Sequence, residues 1–286
     1  MIDVGKKIIS YSCKSFLTSN IAHYLNTFNL APRQIWITRH GQSLDNLVQK
    51  LGGDSDITPK GKMYGRVLYN FISKKRQEWI VEQKDKILSS SFPPKSGDNT
   101  PPYPEMRLGE LDQKNFCVWT SMLRRSIQTA ADFMEDEDYD CKTWKDLNEL
   151  NAGDYEGMTY EEIEKNYPDE YMKRKTDKLG YRYPGVGGEG YLQVIARLRD
   201  MVREIERITD HVLVIGHRSI CRVLMAYFMD ISRDKVAELN VPLGELFCIE
   251  PKPYGSELHA YSYDEEHGTF VEILDWKAEK EKEKGN

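Results

Sequence analysis

The apolar and polar positions along the chain predict short strands that alternate with helices. Three short apolar runs, at 35–38, 116–119 and 211–216, have the length and composition of strands, and the third suits a strand buried on both faces of a parallel sheet. Helices are predicted at 60–88, 124–134, 192–208 and 219–229, with a charged helix interrupted by a proline at 159–175. This alternation predicts an α/β fold of three layers, with a mostly parallel sheet and helices on both of its faces.

The segments outside this alternation differ from it in character. Residues 1–32 carry apolar residues at helical spacing and are predicted to form an amphipathic helix that Pro32 ends. Residues 89–114 are rich in serine, proline and glycine and are predicted to form a loop. Residues 276–286 are predicted to be a charged, solvated tail, which leaves 33–275 as the main domain.

Composition and charge limit the class of protein. The 286 residues are 40% hydrophobic and 30% charged, which is typical of a globular chain with one or two domains. The longest apolar run, 223–229, is too short to span a membrane, and no apolar signal segment follows the first lysines. The formal net charge of −6 argues against a general nucleic-acid binder. The five cysteines contain no C-x-x-C pair, which favours a reducing compartment, and we expect a cytoplasmic protein.

Two histidines follow the ends of predicted strands. His40 comes after the strand at 35–38, His217 comes after the strand at 212–215, and each lies beside a glycine. Because the carboxyl ends of parallel strands meet at one edge of a sheet, we expect the two imidazoles to lie close together. A single histidine of this kind is better interpreted as the polar end of a strand. Two such histidines that both adjoin arginines favour a functional pair.

Arginines stand at the same strand ends. Arg39 and Arg218 are the direct neighbours of these histidines, and Arg125 lies at the predicted start of the helix after the strand at 116–119. Planar guanidinium groups and helix N-termini both bind phosphate oxygens well. A surface salt bridge is the more common role of any one arginine. Clustering at three strand ends instead points to an anionic ligand.

Several sequence blocks resemble one known family. Residues 38–43 contain the R-H-G motif of the phosphoglycerate mutase-like histidine phosphatase superfamily. Blocks at 118–130, 147–163 and 181–191 resemble, in the same order, the fructose-2,6-bisphosphatase domain of the bifunctional 6-phosphofructo-2-kinase/fructose-2,6-bisphosphatase family. The R-H-G motif alone is a weak signal, whereas the ordered set of blocks is specific. The resemblance covers about residues 3 to 258, apart from an insert, and implies a phosphoglycerate mutase-like fold.

The resemblance implies a reaction through a phosphohistidine that needs no metal and no cofactor. His40 would be the nucleophile that takes the 2-phosphoryl group of fructose 2,6-bisphosphate. Glu149 would protonate the leaving oxygen and then activate water, a dual role that favours a carboxyl pKa raised toward neutrality. The phosphoryl group would be held by Arg39, Arg125, His217 and Asn46. The sugar and its 6-phosphate would be bound by Gly52, Tyr160, Arg174, Lys178, Tyr191 and Arg222.

The resemblance is not needed to explain two of these residues. Tyr160 follows a threonine in a T-x-x-E capping box, so on the residues alone it would be interpreted as the start of a helix. Tyr191 would be interpreted as a core residue of the next predicted helix. Only the match to the family assigns either tyrosine to the substrate.

The chain also departs from the family pattern. Arg218 stands where the bisphosphatases have Gln, within the substrate-binding set, and this leaves the choice of sugar phosphate open. The insert at 75–115 has no family counterpart and is interpreted as a surface excursion, a candidate partner or regulatory site. Residues 1–32 resemble the last helix of the family's kinase domain, which implies a kinase domain before this segment in the full-length chain. No G-x-x-x-x-G-K-[ST] phosphate loop occurs in these 286 residues.

Three functions remain open on the sequence. The leading hypothesis is hydrolysis of the 2-phosphate of fructose 2,6-bisphosphate to fructose 6-phosphate and phosphate. The second is a histidine phosphatase that acts on a different sugar phosphate, which Arg218 favours. The third is a catalytically silent regulatory module appended to a kinase, and the complete set of catalytic residues argues against it. The oligomeric state is not predicted.

Overall fold

The computed structural model describes residues 2–4, 7–9, 32–89, 109, 111, 114–252, 255–274 and 276. Two short strands at its start, β1 (Ile2–Val4) and β2 (Lys7–Ile9), pair in an antiparallel arrangement. The helix predicted over 1–32 is therefore wrong at these residues, most of which are β-branched and favour extended backbone. The rest of that prediction lies outside the described residues, as do most of the predicted loop at 89–114 and the tail beyond residue 276.

A seven-stranded sheet forms the centre of the main domain. Its strands, in spatial order, are β5 (Asp140–Trp144), β4 (Phe116–Ser121), β6 (His211–Gly216), β3 (Ile35–Arg39), β7 (Glu245–Lys252), β8 (Gly255–Asp264) and β9 (Thr269–Ile273). The first four strands in this order are parallel to one another, and the last three extend the sheet in an antiparallel arrangement. The three strands predicted from the sequence, β3, β4 and β6, are neighbours in the middle. Strands β5 and β7 to β9 were not predicted.

The helices occur at nearly the predicted positions. They are α1 (Leu44–Leu47), α2 (Pro59–Ser89), α3 (Arg124–Thr129), α4 (Ala131–Met134), α5 (Tyr160–Asn166), α6 (Pro168–Thr176), α7 (Tyr191–Arg197), α8 (Arg199–Arg207) and α9 (Arg218–Phe228). Two predicted helices are each split in two, at Ala130 and at Leu198. Pro168 is the first residue of α6, where its missing N–H interrupts no helical hydrogen bond. None of the described helices combines the length and the apolar character that crossing a membrane requires.

Alternate residues of the central strands face opposite helical layers. Ile35 and Ile37 of β3 belong to one apolar core, and Trp36 between them belongs to a second core on the other face of the sheet. Helices α7, α8 and α9 contribute to the first core, and α2 contributes to the second. The predicted three-layer α/β fold is therefore confirmed.

Two tryptophans from segments that were predicted to lie at the surface pack against the domain. Residues 75–89 of the predicted surface insert continue α2, and Trp79 is buried edge-on against the His211 ring, with 4.4 Å between ring centroids. Trp276, the first residue of the predicted tail, packs against Phe247 with 5.2 Å between centroids. The helix predicted at 60–88 is confirmed here. The interpretation of 75–115 as a surface excursion is wrong at Trp79, and the solvated tail is wrong at Trp276, because both indole rings bury apolar surface.

A small third cluster supports the loops above the carboxyl ends of the parallel strands. It joins Ala152, Tyr155, Ile163 and Tyr183, and the rings of Tyr155 and Tyr167 lie 4.9 Å apart. These contacts attach α5 and α6 to the loops that precede and follow them. The cluster thereby forms one wall of the site described below.

Candidate active site

The two histidines that follow β3 and β6 meet at the carboxyl edge of the sheet. Arg39 pairs with Gly216 in the parallel register, and the His40 N–H donates to the Gly216 carbonyl at 3.0 Å. The ring centroids of His40 and His217 lie 5.0 Å apart, and the ring planes are tilted by 52°. The pattern of the strand ends predicts this juxtaposition, and the structure shows it.

One ring nitrogen of His40 is available for chemistry. Its Nδ1 lies 2.7 Å from the Gly41 carbonyl oxygen, which can only accept a hydrogen bond, so Nδ1 carries the ring proton. The other nitrogen, Nε2, then holds the lone pair that a nucleophile needs. Burial lowers the pKa of His40 well below its ordinary value of 6.5, and the neighbouring His217 and arginines act in the same direction. The imidazole is therefore neutral at physiological pH.

His217 is fully buried and is held by a serine. Its Nε2 lies 2.7 Å from Ser121 Oγ, and that oxygen already accepts the Leu123 N–H at 3.1 Å. Among the described residues Nε2 is the acceptor within reach of the Ser121 hydroxyl proton, and this assigns the ring proton of His217 to Nδ1. In the described part of the chain this Nδ1 has no hydrogen-bond partner. Burial lowers the pKa of His217 well below 6.5, so the ring is a neutral donor that suits an anionic oxygen.

Two buried arginines flank the histidines. Arg39 ends β3 and is 6% exposed, and Arg125 lies in the first turn of α3 and is 4% exposed. Arg39 donates to the Val241 carbonyl at 3.2 Å, and Arg125 donates to the Gly53 carbonyl at 2.6 Å. Burial lowers the pKa of Arg39 to about 10, which still leaves it charged at neutral pH. No carboxylate of the described residues lies within ion-pair distance of either guanidinium, and buried charges of this kind require an anionic partner.

The loop whose Gly53 carbonyl accepts a hydrogen bond from Arg125 depends on two glycines. Gly52 and Gly53 have φ angles of +66° and +69°, a left-handed conformation that glycine adopts without strain. A Cβ atom on Gly52 would lie 1.6 Å from Glu156 Oε2. The Glu156 carboxylate accepts the Gly53 N–H at 2.8 Å and the Ala152 N–H at 2.6 Å. It thereby joins the loop after α1 to the loop before α5 and fixes the carbonyl that holds Arg125.

Glu149 lies at the N-terminus of α9, where several donors hold its carboxylate. Oε1 accepts the N–H groups of Leu150 at 2.9 Å and of Ser219 at 3.3 Å, together with the Ser219 hydroxyl. Oε2 accepts the Arg218 N–H at 3.0 Å. The carboxylate therefore occupies the anion-binding end of a helix that begins directly after His217.

This arrangement sets the pKa of Glu149 in the opposite direction to the one expected from the sequence. Removal from bulk water raises the pKa, but the Ser219 and Leu150 hydrogen bonds and the nearby arginine charges outweigh this effect and lower it overall. The expected pKa near neutrality is therefore wrong for the structure described. The reason is that a helix N-terminus and two guanidinium groups all stabilise the ionised form.

The predicted site residues line one cavity of about 550 Å³. The residues in its wall are Arg39, His40, Asn46, Gly52, Arg125, Glu149, Tyr160, Arg174, Lys178, Tyr191, Arg218 and Arg222. His217 lies behind this wall, against the His40 ring. The structure thus brings together every residue that the sequence analysis assigned to the site.

Arg174 is held among aromatic side chains at the α6 side of the cavity. It donates to the Tyr160 hydroxyl at 2.8 Å, and its guanidinium lies 4.7 Å from the centroid of the Tyr160 ring and 5.5 Å from that of Tyr183. These cation–π contacts orient a charged group that is half-buried. Tyr160 therefore lines the cavity itself and also holds Arg174 in the cavity wall.

Two further cations come from α9 and from the residues after α6. Arg222 donates to the Tyr191 hydroxyl at 2.8 Å and to the Leu239 carbonyl at 2.7 Å. Lys178 lies 3.5 Å from Glu238, and burial lowers the pKa of its ammonium group. With Arg174, these side chains form a second group of cations on the cavity wall.

Asn46 and Arg218 differ in how firmly they are held. The Asn46 side-chain oxygen accepts the Ser43 N–H at 3.0 Å in a capping box, which leaves its amide nitrogen as a donor. The Arg218 backbone is tied to Glu149, but its side chain is exposed. Within the described ranges the Arg218 guanidinium has no ion pair or hydrogen bond.

The sequence analysis missed residues that hold the predicted catalytic side chains. Ser121 holds His217, and Ser219 holds Glu149. Tyr181, Tyr183 and Lys50 also line the cavity. A signal for Ser121 was present, because it ends β4 just as Arg39 ends β3. Ser219 had no comparable signal, since it lies within the first turn of α9 and not at the end of a strand.

The fold and the paired strand-end histidines define a histidine-type phosphatase. The family model described as "Histidine phosphatase superfamily (branch 1)" matches residues 107–264, more than half of the chain. The chain belongs to this superfamily. The matched segment contains Arg125, Glu149 and His217, and it begins after His40.

Curated relatives extend the similarity over nearly the whole chain. The chain is 47% identical over 276 residues to 6-phosphofructo-2-kinase 1 of Saccharomyces cerevisiae, an alignment that covers 96% of this chain and 31% of that protein. It is 35% identical over 260 residues to 6-phosphofructo-2-kinase/fructose-2,6-bisphosphatase 1 of Rattus norvegicus, covering 91% and 46%. The chain therefore spans about a third to a half of the length of these relatives. The resemblance to the fructose-2,6-bisphosphatase domain of the bifunctional family is confirmed.

A solved structure shows the same fold in a distant phosphatase. The α-ribazole phosphatase of Shigella flexneri superimposes with a TM-score of 0.56 at 16% identity, covering 79% of this chain and 94% of that one. At this identity the likeness concerns the fold alone. It agrees with the three-layer architecture described above.

Proposed function

We propose that this phosphatase hydrolyses the 2-phosphate of fructose 2,6-bisphosphate to fructose 6-phosphate and phosphate, through a phosphohistidine on His40. Membership of the histidine phosphatase superfamily supports the reaction class. A relative named for both 6-phosphofructo-2-kinase and fructose-2,6-bisphosphatase supports this choice of substrate. The remaining support comes from the cavity itself.

In the first step, His40 Nε2 attacks phosphorus and the bond from phosphorus to the C2 oxygen breaks. Glu149 gives its proton to that oxygen, and fructose 6-phosphate leaves. Arg39 and Arg125 neutralise the charge that spreads over the phosphoryl oxygens. The Nδ1–H of His217 and the amide nitrogen of Asn46 donate to the same oxygens.

Binding of the phosphoryl group favours the protonated form of Glu149. Arg39 and Arg125 contribute to the lowered pKa of this carboxyl in the structure described. A dianionic phosphoryl group pairs with the same two guanidinium groups and repels the carboxylate. Substrate binding therefore raises the pKa of Glu149 and favours the acid that the first step needs.

In the second step, water attacks the phosphorus of phosphohistidine and gives its proton to the Glu149 carboxylate. The bond between Nε2 and phosphorus breaks, phosphate leaves, and His40 regains its lone pair. The hydrogen bond from Nδ1 to the Gly41 carbonyl fixes the same tautomer for both steps. Apart from the substrate and one water molecule, the two steps consume no reactant.

The observation that carries the proposal is that the cavity wall holds two separate groups of cations. One cavity of about 550 Å³ is lined by His40 with its two arginines and also by Arg174, Lys178 and Arg222. A sugar with two phosphates needs one group of cations for the phosphate that reacts and another for the phosphate that stays. A monophosphate would leave one of these groups without a partner.

Release of phosphate from a panel of sugar phosphates tests the substrate. The panel includes fructose 2,6-bisphosphate, fructose 1,6-bisphosphate, fructose 6-phosphate and 3-phosphoglycerate, with His40→Ala as the inactive control. We expect release from fructose 2,6-bisphosphate with the highest kcat/KM. Release from another ester and none from the 2,6-bisphosphate would reject this substrate. No release from any ester would reject an enzyme of this class.

Arg218 supports a second candidate, a histidine phosphatase for a different sugar phosphate. Its exposed guanidinium reaches the same cavity without a partner in the described residues, so it can bind an additional anionic group. The Arg218→Gln variant should then change the ranking of the esters in the panel. An unchanged ranking would remove the support for this candidate.

We also propose that a kinase domain adjoins this domain in the full-length protein. The chain covers 31% and 46% of two relatives whose names include 6-phosphofructo-2-kinase. A silent regulatory module appended to a kinase is the remaining alternative, and the panel above tests it directly. Kinase activity of the full-length protein, with 2,6-bisphosphate formed from fructose 6-phosphate and ATP, tests the neighbouring domain.

A further inference from the structure

Ser219 connects the N-terminus of α9 to the Glu149 carboxylate through several contacts. It is 4% exposed, and both its N–H and its hydroxyl donate to Glu149 Oε1. Its hydroxyl oxygen also lies 3.4 Å from the Leu150 nitrogen and accepts that N–H, which directs the hydroxyl proton toward Glu149. The Leu150 N–H is shared with Oε1 at 2.9 Å. Glu149 Oε1 therefore receives three donors.

The two oxygens of Glu149 are consequently not equivalent. An oxygen with three donors has no free lone pair for a proton, whereas Oε2 accepts a single N–H, that of Arg218, from the residues described. We infer that Ser219 is a positioning residue of the phosphatase reaction: it saturates Oε1 and leaves Oε2 as the oxygen that transfers the proton. This inference rests on the proposed function, in which Glu149 is the acid and then the base.

Ser219 acts on Glu149 without carrying a charge, in contrast to most other groups around the carboxylate. The titratable and charged groups that face Glu149 are Arg39 from β3, Arg125 from α3, Tyr191 from α7, and Arg218 and Cys221 from α9. The guanidinium groups are charged at any ordinary pH, and burial raises the pKa of both the tyrosine and the thiol, which stay neutral. Removing the Ser219 hydroxyl therefore alters the carboxyl while the charge of the site stays the same.

Loss of this hydroxyl changes the pKa of Glu149 in a defined direction. The Ser219 hydrogen bond stabilises the ionised carboxylate, so its removal moves the titration of Glu149 to higher pH. The direction is the same whether the protonated acid of the first step or the carboxylate of the second step limits kcat. A packing defect at Ser219 would lower activity without moving any midpoint along the pH axis.

The first test compares the pH profile of kcat for fructose 2,6-bisphosphate in the wild type and in Ser219→Ala. We expect the midpoint of the limb that depends on Glu149 to rise by about one pH unit. Ser219→Thr keeps the hydroxyl and should keep the wild-type midpoint. Ser73→Ala, which removes a hydroxyl bonded to Tyr139 at 2.8 Å outside the cavity, is the matched control. A lower kcat with an unmoved midpoint would overturn the inference.

A second readout does not depend on turnover. The Glu149 carboxyl is titrated by ¹³C NMR in the resting protein and assigned with Glu149→Gln. A higher midpoint in Ser219→Ala than in the wild type and Ser219→Thr supports the inference, and equal midpoints contradict it. If Ser219→Ala does not fold, Ser219→Cys offers a weaker donor of similar size for the same comparison. A wild type that releases no phosphate would reject the proposed function, and the titration would still decide the role of Ser219.

Discussion

The side chains around His40 and the second group of cations on the cavity wall are held in different ways. His40, His217 and Arg39 stand at the ends of two hydrogen-bonded parallel strands and are almost completely buried. Arg174 and Lys178 lie on and after a surface helix, are half-buried, and are held by aromatic rings and by an ion pair. The first group is fixed by the backbone of the sheet, and the second is fixed by contacts between side chains.

This difference matches the two tasks that we propose for them. Attack on phosphorus needs the reacting atoms to be placed within about half an ångström of their productive positions. The register of β3 and β6 provides this precision. Holding the phosphate that does not react needs charge, and it tolerates small movements. Changes in the first group should therefore lower kcat, and changes in the second group should mainly raise KM.

The largest effect is expected from His217→Ala. This change removes the buried Nδ1–H donor from the phosphoryl oxygens, and we expect kcat to fall about 10³-fold with little change in KM. Steady-state kinetics with fructose 2,6-bisphosphate provide the measurement. His259→Ala, a half-buried position on β8 outside the cavity, is the matched control and should behave like the wild type. A His217→Ala enzyme with a raised KM and an unchanged kcat would contradict the division between the two groups.

A smaller effect is expected from Arg174→Ala. It removes one cation from the second group, and we expect KM to rise about 30-fold while kcat changes less than about threefold. The control is Lys173→Ala, the preceding residue on α6, which is paired with Glu170 outside the cavity. If kcat fell as far as it does for His217→Ala, the two groups would not be separable.

The smallest effect concerns stability toward acid. Burial lowers the pKa of His40 and His217 well below 6.5, and lowers that of His211, at the other end of β6, to about 3. Each histidine takes up a proton near pH 6.5 in the unfolded chain but not in the folded protein. The free energy of unfolding should therefore decrease as the pH falls below 6.5, by about 1.4 kcal/mol per pH unit for each histidine.

Urea unfolding at several pH values between 7 and 5.5 measures this dependence. The slope of stability against pH should be shallower in His40→Ala and equally so in His211→Phe, because each variant removes one of the three histidines. Loss of activity should accompany only the first of these changes. Slopes identical to that of the wild type in both variants would show that the buried imidazoles do not control acid stability.

The parts of the fold that the sequence predicted are those with a local signal. The apolar runs that form β3 and β6 are continuous, and His40 and His217 follow them directly, so the geometry of a parallel sheet was enough to bring the two rings together. The strands β7 to β9 were missed because β7 contains Pro251 and mixes charged with apolar residues, as expected for strands toward one edge of the sheet. Trp276 was assigned to a solvated tail because the sequence after it is charged, whereas the helix that carries Trp79 was predicted.

The pKa of Glu149 could not be predicted from its own neighbourhood in the sequence. Apart from the N–H of the adjacent Leu150, the groups that lower it belong to α9 and to the arginines of β3 and α3, which reach the carboxylate only in the folded protein. The contact between Glu156 and Gly53 could not be predicted either, because the two residues lie far apart along the chain. These residues act on others far along the chain and do not end a predicted strand, so no pattern in a single sequence marks them.

Trapping of the phosphorylated enzyme tests the central claim most directly. The protein is mixed briefly with substrate labelled in the 2-phosphate, denatured, and mapped by peptide analysis. The account predicts a label on His40 that is stable in alkali and labile in acid, and that is absent from His40→Ala. A label that survives acid, or one that persists on another residue in His40→Ala, would contradict a phosphohistidine at the end of β3.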